Sequence, residues 1–311
     1  MVRLGGILSF MKRLFVLLGV AGVSLSAVFV RLSTAPSMVL VLYRVTWATL
    51  LLTPWVLLRC RGEIRRMARK ELLLCLCSGL FLGLHFSAYF ESLRHTSIAV
   101  AVVLVNTEVL FVCLGTVCIL REKLSGRAWA AVGIAFIGSV VVAMADLSGG
   151  GSPLGAALAL AGAALCAAYT LVGTVCRRGG LSTTVYTYFV YGSAAVTVLI
   201  LNLVSGQRLT GYGPENLLTA LGMAVFCTLL GHSVYSWGLK YLPPAFITTV
   251  KLLEPVYASI WGLLLFQERP TVPVIAGGAV VILGIALYCR VSGEGETGRI
   301  AEKTGGDRCD G

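Results

Sequence analysis

Charge is scarce in this chain. Asp, Glu, Lys and Arg make up 13% of its 311 residues, against about 25% in ordinary soluble domains. So little charge does not suit one soluble core, and lipid is the solvent such a composition fits. Long polar connections are lacking too. Before residue 291 the only polar stretch of any size is 59–71. There is no HExxH, no nucleophile elbow, no paired aspartates and no haem-type histidine pair, so nothing supports an enzyme. No ATP-binding motif is present, and Gly149-Gly-Gly151 lacks the strand and helix of a phosphate loop. The ten cysteines lie nearly all in apolar runs, where thiols behave as small hydrophobes. Cys75 and Cys77 have no second pair to complete a zinc site. Neither a metal nor a cofactor is therefore expected. The net charge of +11 does not point to nucleic acid, because the basic residues cluster between apolar runs.

What the chain has is apolar length. Hydrophobic residues make up 57% of it, and its mean hydropathy is +0.89. Ten runs reach the length that crosses a bilayer: 13–31, 36–58, 72–91, 97–119, 126–145, 153–175, 183–204, 216–239, 243–266 and 271–290. Pro36, Pro153 and Pro243 stand at the starts of runs, where a missing N–H has no partner to lose. The first run follows basic residues as a signal peptide does, but it has no clear small-x-small cleavage site. With the N-terminus in the cytoplasm, 19 Lys and Arg residues fall on inner segments and 4 on outer ones. The positive-inside rule then predicts a multi-pass protein of the inner (plasma) membrane with both termini cytoplasmic. Segment 291–311 is Gly-rich and charged, and is expected to be a disordered cytoplasmic tail.

A shift of 146 residues lays the chain on itself without a gap. Arg31 falls on Arg177, Ser87 on Ser233, Tyr89 on Tyr235, Leu93 on Leu239, Glu108 on Glu254, Glu122 on Glu268 and Gly138 on Gly284. The expected architecture is an all-α integral membrane protein. Its ten transmembrane helices form two five-helix repeats, 1–145 and 153–290, joined by an outer linker at 146–152. Five is odd, so the second copy enters from the opposite face. The repeats are therefore inverted about an axis in the membrane plane, an arrangement that supports alternating access.

Charged groups at membrane depth are costly and mark function. At 1.5 Å per residue, Glu108 lies roughly 17 Å into the fourth run and Glu254 about as far into the ninth. Both depths are near the middle of a ~30 Å core, where transporters place their sites. Arg44 lies roughly 12 Å in from the outer end of the second run. Lys251 and Glu254, at i and i+3, are expected on one helix face. The charges of Arg44, Lys251, Glu108 and Glu254 sum to zero, and a neutral set is cheaper to bury than a lone charge. These four are predicted to line a central cavity for a zwitterionic or charged metabolite, with a buried carboxylate carrying a coupling proton. The competing reading is structural pairs that lock helices together. His85, His232, Tyr89 and Tyr235 are further candidate substrate contacts, with packing as the competing reading. Glu122 and Glu268 are expected at helix ends, as anchors or gate pairs. Pro255, directly after Glu254, predicts a kink able to serve as a hinge. Gly79 and Gly83 make a small-xxx-small pattern that brings helices close and says nothing of function.

Several stretches carry a resemblance. Gly83-Leu-His-Phe-Ser-Ala-Tyr-Phe-Glu-Ser-Leu93 and Thr96-Ser-Ile-Ala-Val-Ala-Val-Val-Leu104 resemble the third and fourth spans of EamA-type transporters of the drug/metabolite transporter superfamily. Leu120-Arg-Glu-Lys-Leu124 resembles the end of their fourth span. The second copy adds Gly231-His-Ser233, Trp237-Gly-Leu-Lys-Tyr241, Leu253-Glu-Pro-Val256 and Phe266-Gln-Glu268. Lys251 departs from the family, where that position is apolar or small. The resemblance covers about 13–290 and implies a secondary active carrier of small metabolites, such as amino acids or related charged compounds, working as an exporter. Sugars, lipophilic drugs and lipid-linked compounds are the alternative substrates. Expected partners are the solute, membrane lipids and a coupling proton, with the chain a monomer or homodimer.

Overall fold

The computed structural model describes residues 2–96, 98–144, 152–267 and 269–306. Among the described residues the chain is helical, with no strand. Ten apolar helices follow one another: α1 (Phe10–Leu32), α2 (Ser37–Arg59), α3 (Arg69–Ser92), α4 (Val100–Cys118), α5 (Gly126–Val142), α6 (Pro153–Arg178), α7 (Thr183–Val204), α8 (Pro214–Gly238), α9 (Pro244–Phe266) and α10 (Val272–Val291). All but α5, which is shorter, are long and apolar enough to cross a membrane. Helix starts follow the expected chemistry. Pro36 precedes the first turn of α2, and Pro244 opens α9 behind Pro243. Ser152 caps α6, its Oγ accepting from the Gly155 N–H at 3.2 Å. The stretch 59–71 holds a short helix, Arg61–Arg66, and its Glu63 accepts from the Ser182 N–H at 2.7 Å beside the start of α7.

Packing obeys the repeat. α3 lies on α6 and α7, and α8 lies on α1 and α2. α4 meets α6 as α9 meets α1, while α2–α7, α4–α9 and α5–α10 pair across the halves. Exchanging the two repeats maps this pattern onto itself. Among the described residues the most extensive contact is α5 on α10. A Cβ on Gly138 would stand 2.6 Å from the Val281 nitrogen, and one on Gly284 would stand 2.4 Å from the Ala135 nitrogen. Glycine at both matched positions is what lets the two backbones approach. The interior is more polar-handled than the exterior. Tyr186 and Tyr191 are among the largest fully buried side chains, while Leu58, Leu73, Val204 and Val272 are exposed. That inversion is the one lipid favours, since tails solvate leucine and leave a phenol unmet.

Two details of the backbone also repeat. α4 is broken into Ile98–Asn106 and Glu108–Cys118, and α9 into Pro244–Lys251 and Glu254–Phe266. The 146-residue shift carries one break onto the other. Arg121 and Gln267, also 146 apart, both adopt left-handed backbone with φ of 56° and 58°. Non-glycine residues rarely do so, and both sit just past the end of their helix. The last helix runs Val272–Gly306, through most of the segment expected to be disordered. Residues 145–151, nearly all of the expected linker, lie outside the described residues.

Candidate functional site

The two breaks set the glutamates. At the first, Thr107 Oγ1 donates to the Leu104 carbonyl at 2.6 Å, and Asn106 Nδ2 donates to Ser139 Oγ on α5 at 2.8 Å. Such side chains compete with the helical ladder. At the second, Pro255 stands in the first turn of the new half-helix, where its missing N–H costs least. It therefore follows a break instead of kinking a continuous helix, and α4 breaks at the matching place with no proline at all. Glu108 and Glu254 each begin a half-helix. The positive end of the helix dipole favours a carboxylate there, and broken helices at mid-depth are a feature of transporter sites.

α9 breaks between Lys251 and Glu254, and the two make no ion pair. Lys251 Nζ instead reaches across to Glu108 Oε2 at 2.6 Å, a pair formed over 143 residues. Glu108 is 7% exposed. Its second oxygen accepts from Thr170 Oγ1 of α6 at 3.3 Å, and Cys166 Sγ lies 3.7 Å from Lys251 Nζ. Glu254 is held differently: Tyr235 OH donates to its Oε1 at 3.3 Å. Lys251 Nζ stands 5.8 Å from the Tyr235 ring centre, joining the two halves of the site.

Arg44 is not part of this ion pair. Its Nε donates to Thr228 Oγ1 at 2.7 Å, its Nη1 to Ser26 Oγ at 3.4 Å, and its guanidinium lies 5.1 Å from the Phe86 ring centre. The four charges thus sum to zero without forming one network: one pair is made, and Arg44 and Glu254 are each held by neutral groups. Thr228 lies within a π-helical stretch of α8, Met223–His232, where its Oγ1 donates to the Met223 carbonyl five residues back.

Rings fill the space between these groups. His85 Nδ1 donates to the Gly162 carbonyl at 2.9 Å, and its ring is stacked on Tyr89 at 6.4 Å. His232 stands edge-on to Phe86 at 5.7 Å and to Tyr235 at 5.8 Å, with Tyr169 at 6.5 Å. Phe86 and His232 are 146 apart, so they are repeat mates in contact, and the pseudo-two-fold axis passes between them. Glu122 pairs with Arg178 at the junction of α4 and α6, both about a third exposed. Glu268 lies outside the described residues. Sequence reasoning missed Phe86, Cys166, Tyr169, Thr170 and Thr228. A signal existed for two of them. The 146-residue register places Phe86 on His232 and Thr170 on Ser24, but a search for identical residues passes over such unlike pairs. Ser24 does meet the other repeat, accepting from Trp261 Nε1 at 2.9 Å.

Two five-helix halves that meet about a shared axis, with helices broken beside a buried ion pair, are the build of a multi-pass membrane transporter. Residues 11–144 and 153–290 each match the EamA-like transporter family, and the chain belongs to that family. A protein of Clostridium kluyveri described as an uncharacterized transporter is 26% identical over 219 residues, covering 68% of this chain and 70% of its own. One of Archaeoglobus fulgidus, described in the same words, is 23% identical over 252 residues, covering 80% of this chain and 86% of its own. A solved crystal structure superposes with a TM-score of 0.78 over 90% of this chain and 97% of its own. At 17% identity that likeness speaks for the fold alone.

Proposed function

We propose that the protein is a secondary active carrier that moves small charged metabolites, amino acids or related compounds, by alternating access. The observation that carries this reading is the Lys251–Glu108 pair, 2.6 Å long and largely buried where the two broken helices meet. A pair between repeats is one that a charged solute can open by competing for either partner. Glu254, which among the described residues has no cation within ion-pair distance, is the carboxylate left to exchange a coupling proton. The basic inner segments favour an inner membrane with both termini cytoplasmic. The protein acts as a monomer or homodimer. A second reading draws on the rings of Phe86, Tyr169, His232 and Tyr235, which suit the flat faces of sugars or lipophilic solutes.

The test is counterflow of a labelled amino-acid panel in proteoliposomes, with and without an imposed pH gradient. Counterflow of one class, lost in Lys251→Ala, is the expected result. In Glu254→Gln, counterflow should persist while pH-driven accumulation disappears. Full pH-driven accumulation in that variant would end the proton role. No movement of any amino acid would move the weight to sugars, lipophilic drugs or lipid-linked substrates.

A further inference from the structure

We propose that Arg44, Thr228 and His232 form a second subsite, separate from the Glu108–Lys251 pair, that takes a carboxylate of the transported molecule. The proposal deepens the carrier reading and rests on it, since the carboxylate is taken to belong to the cargo.

Four observations converge. Arg44 is 3% exposed, and its Nη2 is buried with no hydrogen-bond partner. Its other nitrogens meet only the neutral Thr228 and Ser26, so among the described residues this buried cation has no anion within ion-pair distance. His232 is 5% exposed, and its Nδ1 is likewise buried without a partner. Both groups pack on the same ring, Arg44 at 5.1 Å and His232 at 5.7 Å from the centre of Phe86. Finally, Thr228 and His232 both lie on the ten-residue π-helical stretch of α8. π-Helical turns are rare and gather at functional sites. This one widens the helix where Arg44 from α2 comes in, and it ends on the imidazole.

The chemistry these groups want is specific. Guanidinium has five donors in a planar fork and no acceptor, and it matches a two-oxygen acceptor better than any neutral group does. An imidazole N–H on the neighbouring element supplies a further donor. Lys251 does not compete for that anion, being 2.6 Å from Glu108. The asymmetry between the repeats says the same. The 146-residue shift places Arg44 on Val190 and Thr228 on Leu82, so nothing in the other half reproduces this polar group. A packing role shared by the two halves would be expected to leave a trace in both.

The experiment uses the purified full chain in detergent, with thermal unfolding followed by tryptophan fluorescence. The probes are propionate, L-alanine, 1-propylamine and sulfate at matched ionic strength. Propionate and L-alanine should stabilise the wild type with saturable dependence, and 1-propylamine should not. Sulfate separates a free inorganic oxyanion from an organic carboxylate: stabilisation by sulfate alone overturns the proposal. Arg44→Lys keeps the charge but loses the fork, and should weaken propionate about 10- to 100-fold. Should that variant fail to fold, His232→Phe keeps a ring against Phe86 and Tyr235 while removing the donor, and should weaken propionate about 10-fold. Carboxylate binding unchanged in His232→Phe and in any folded Arg44→Lys, or no carboxylate dependence in the wild type, overturns the proposal. Counterflow distinguishes the two readings. If the wild type moves panel solutes and both variants bind carboxylates as it does, the carrier stands and the subsite falls. If carboxylate binding depends on these residues but no panel solute moves, the bound carboxylate is not cargo: the amino-acid reading falls, and the cargo subsite falls with it.

Discussion

Replacing Lys251 with methionine keeps most of the aliphatic stem and removes the charge. Glu108 is then left 7% exposed, with the neutral Thr170 at 3.3 Å and Cys166 beside it and no cation in ion-pair contact. Removing one member of a buried ion pair typically costs about 3–5 kcal/mol. A second route to the magnitude agrees. The stranded carboxylate escapes by taking a proton, which costs about 1.4 kcal/mol for each pH unit above the ordinary value of about 4.3. At pH 7 that comes to roughly 3.7 kcal/mol, and at pH 5 to roughly 1 kcal/mol. The sign follows from linkage. The unfolded variant releases this proton above pH ~4.3 and the folded one keeps it, so the folded variant loses stability as pH rises. Unfolding by SDS in mixed micelles, run at pH 5 and pH 7, measures both the loss and its slope. Adding Glu108→Gln should restore most of the lost stability, since no buried charge then remains. Lys251→Met within ~1 kcal/mol of wild type at pH 7 would refute the reasoning, as would a double variant no more stable than the single one.

Other consequences follow from the packing. Gly284→Ala sets a methyl 2.4 Å from the Ala135 nitrogen, and the α5–α10 seam should lose about 1–3 kcal/mol in the same titration. Glu122→Gln removes a pair whose partners are about a third exposed, so stability should change by less than ~1 kcal/mol. In Pro255→Ala the break in α9 should persist, because α4 breaks at the matching place without proline. Spin-label distances across residues 251–255 check this, and a continuous helix there would count against it.

Much of this was legible along the chain. Ten apolar runs, their proline-marked starts and the 146-residue register all reappear, because span length and helix starts depend on near neighbours in sequence. Neither the break in α4 nor the order of partners was. Asn106 and Thr107 read as ordinary polar residues until Ser139 of α5 stands within 2.8 Å of Asn106. Lys251 is three residues from Glu254, and spacing alone favours that partner. The broken helix turns it instead to a carboxylate 143 residues away.

The sequence by itself determined a helical bundle apolar enough to span a membrane and its duplication, since apolar length and internal register need no knowledge of contacts. Only the tertiary structure decided that Glu108 takes Lys251, that Glu254 is held by Tyr235, and that Arg44 is held by Thr228 and Ser26 over Phe86. Those pairings depend on how each helix is rotated and where it breaks, and in lipid the rotation is set by side-chain packing between helices.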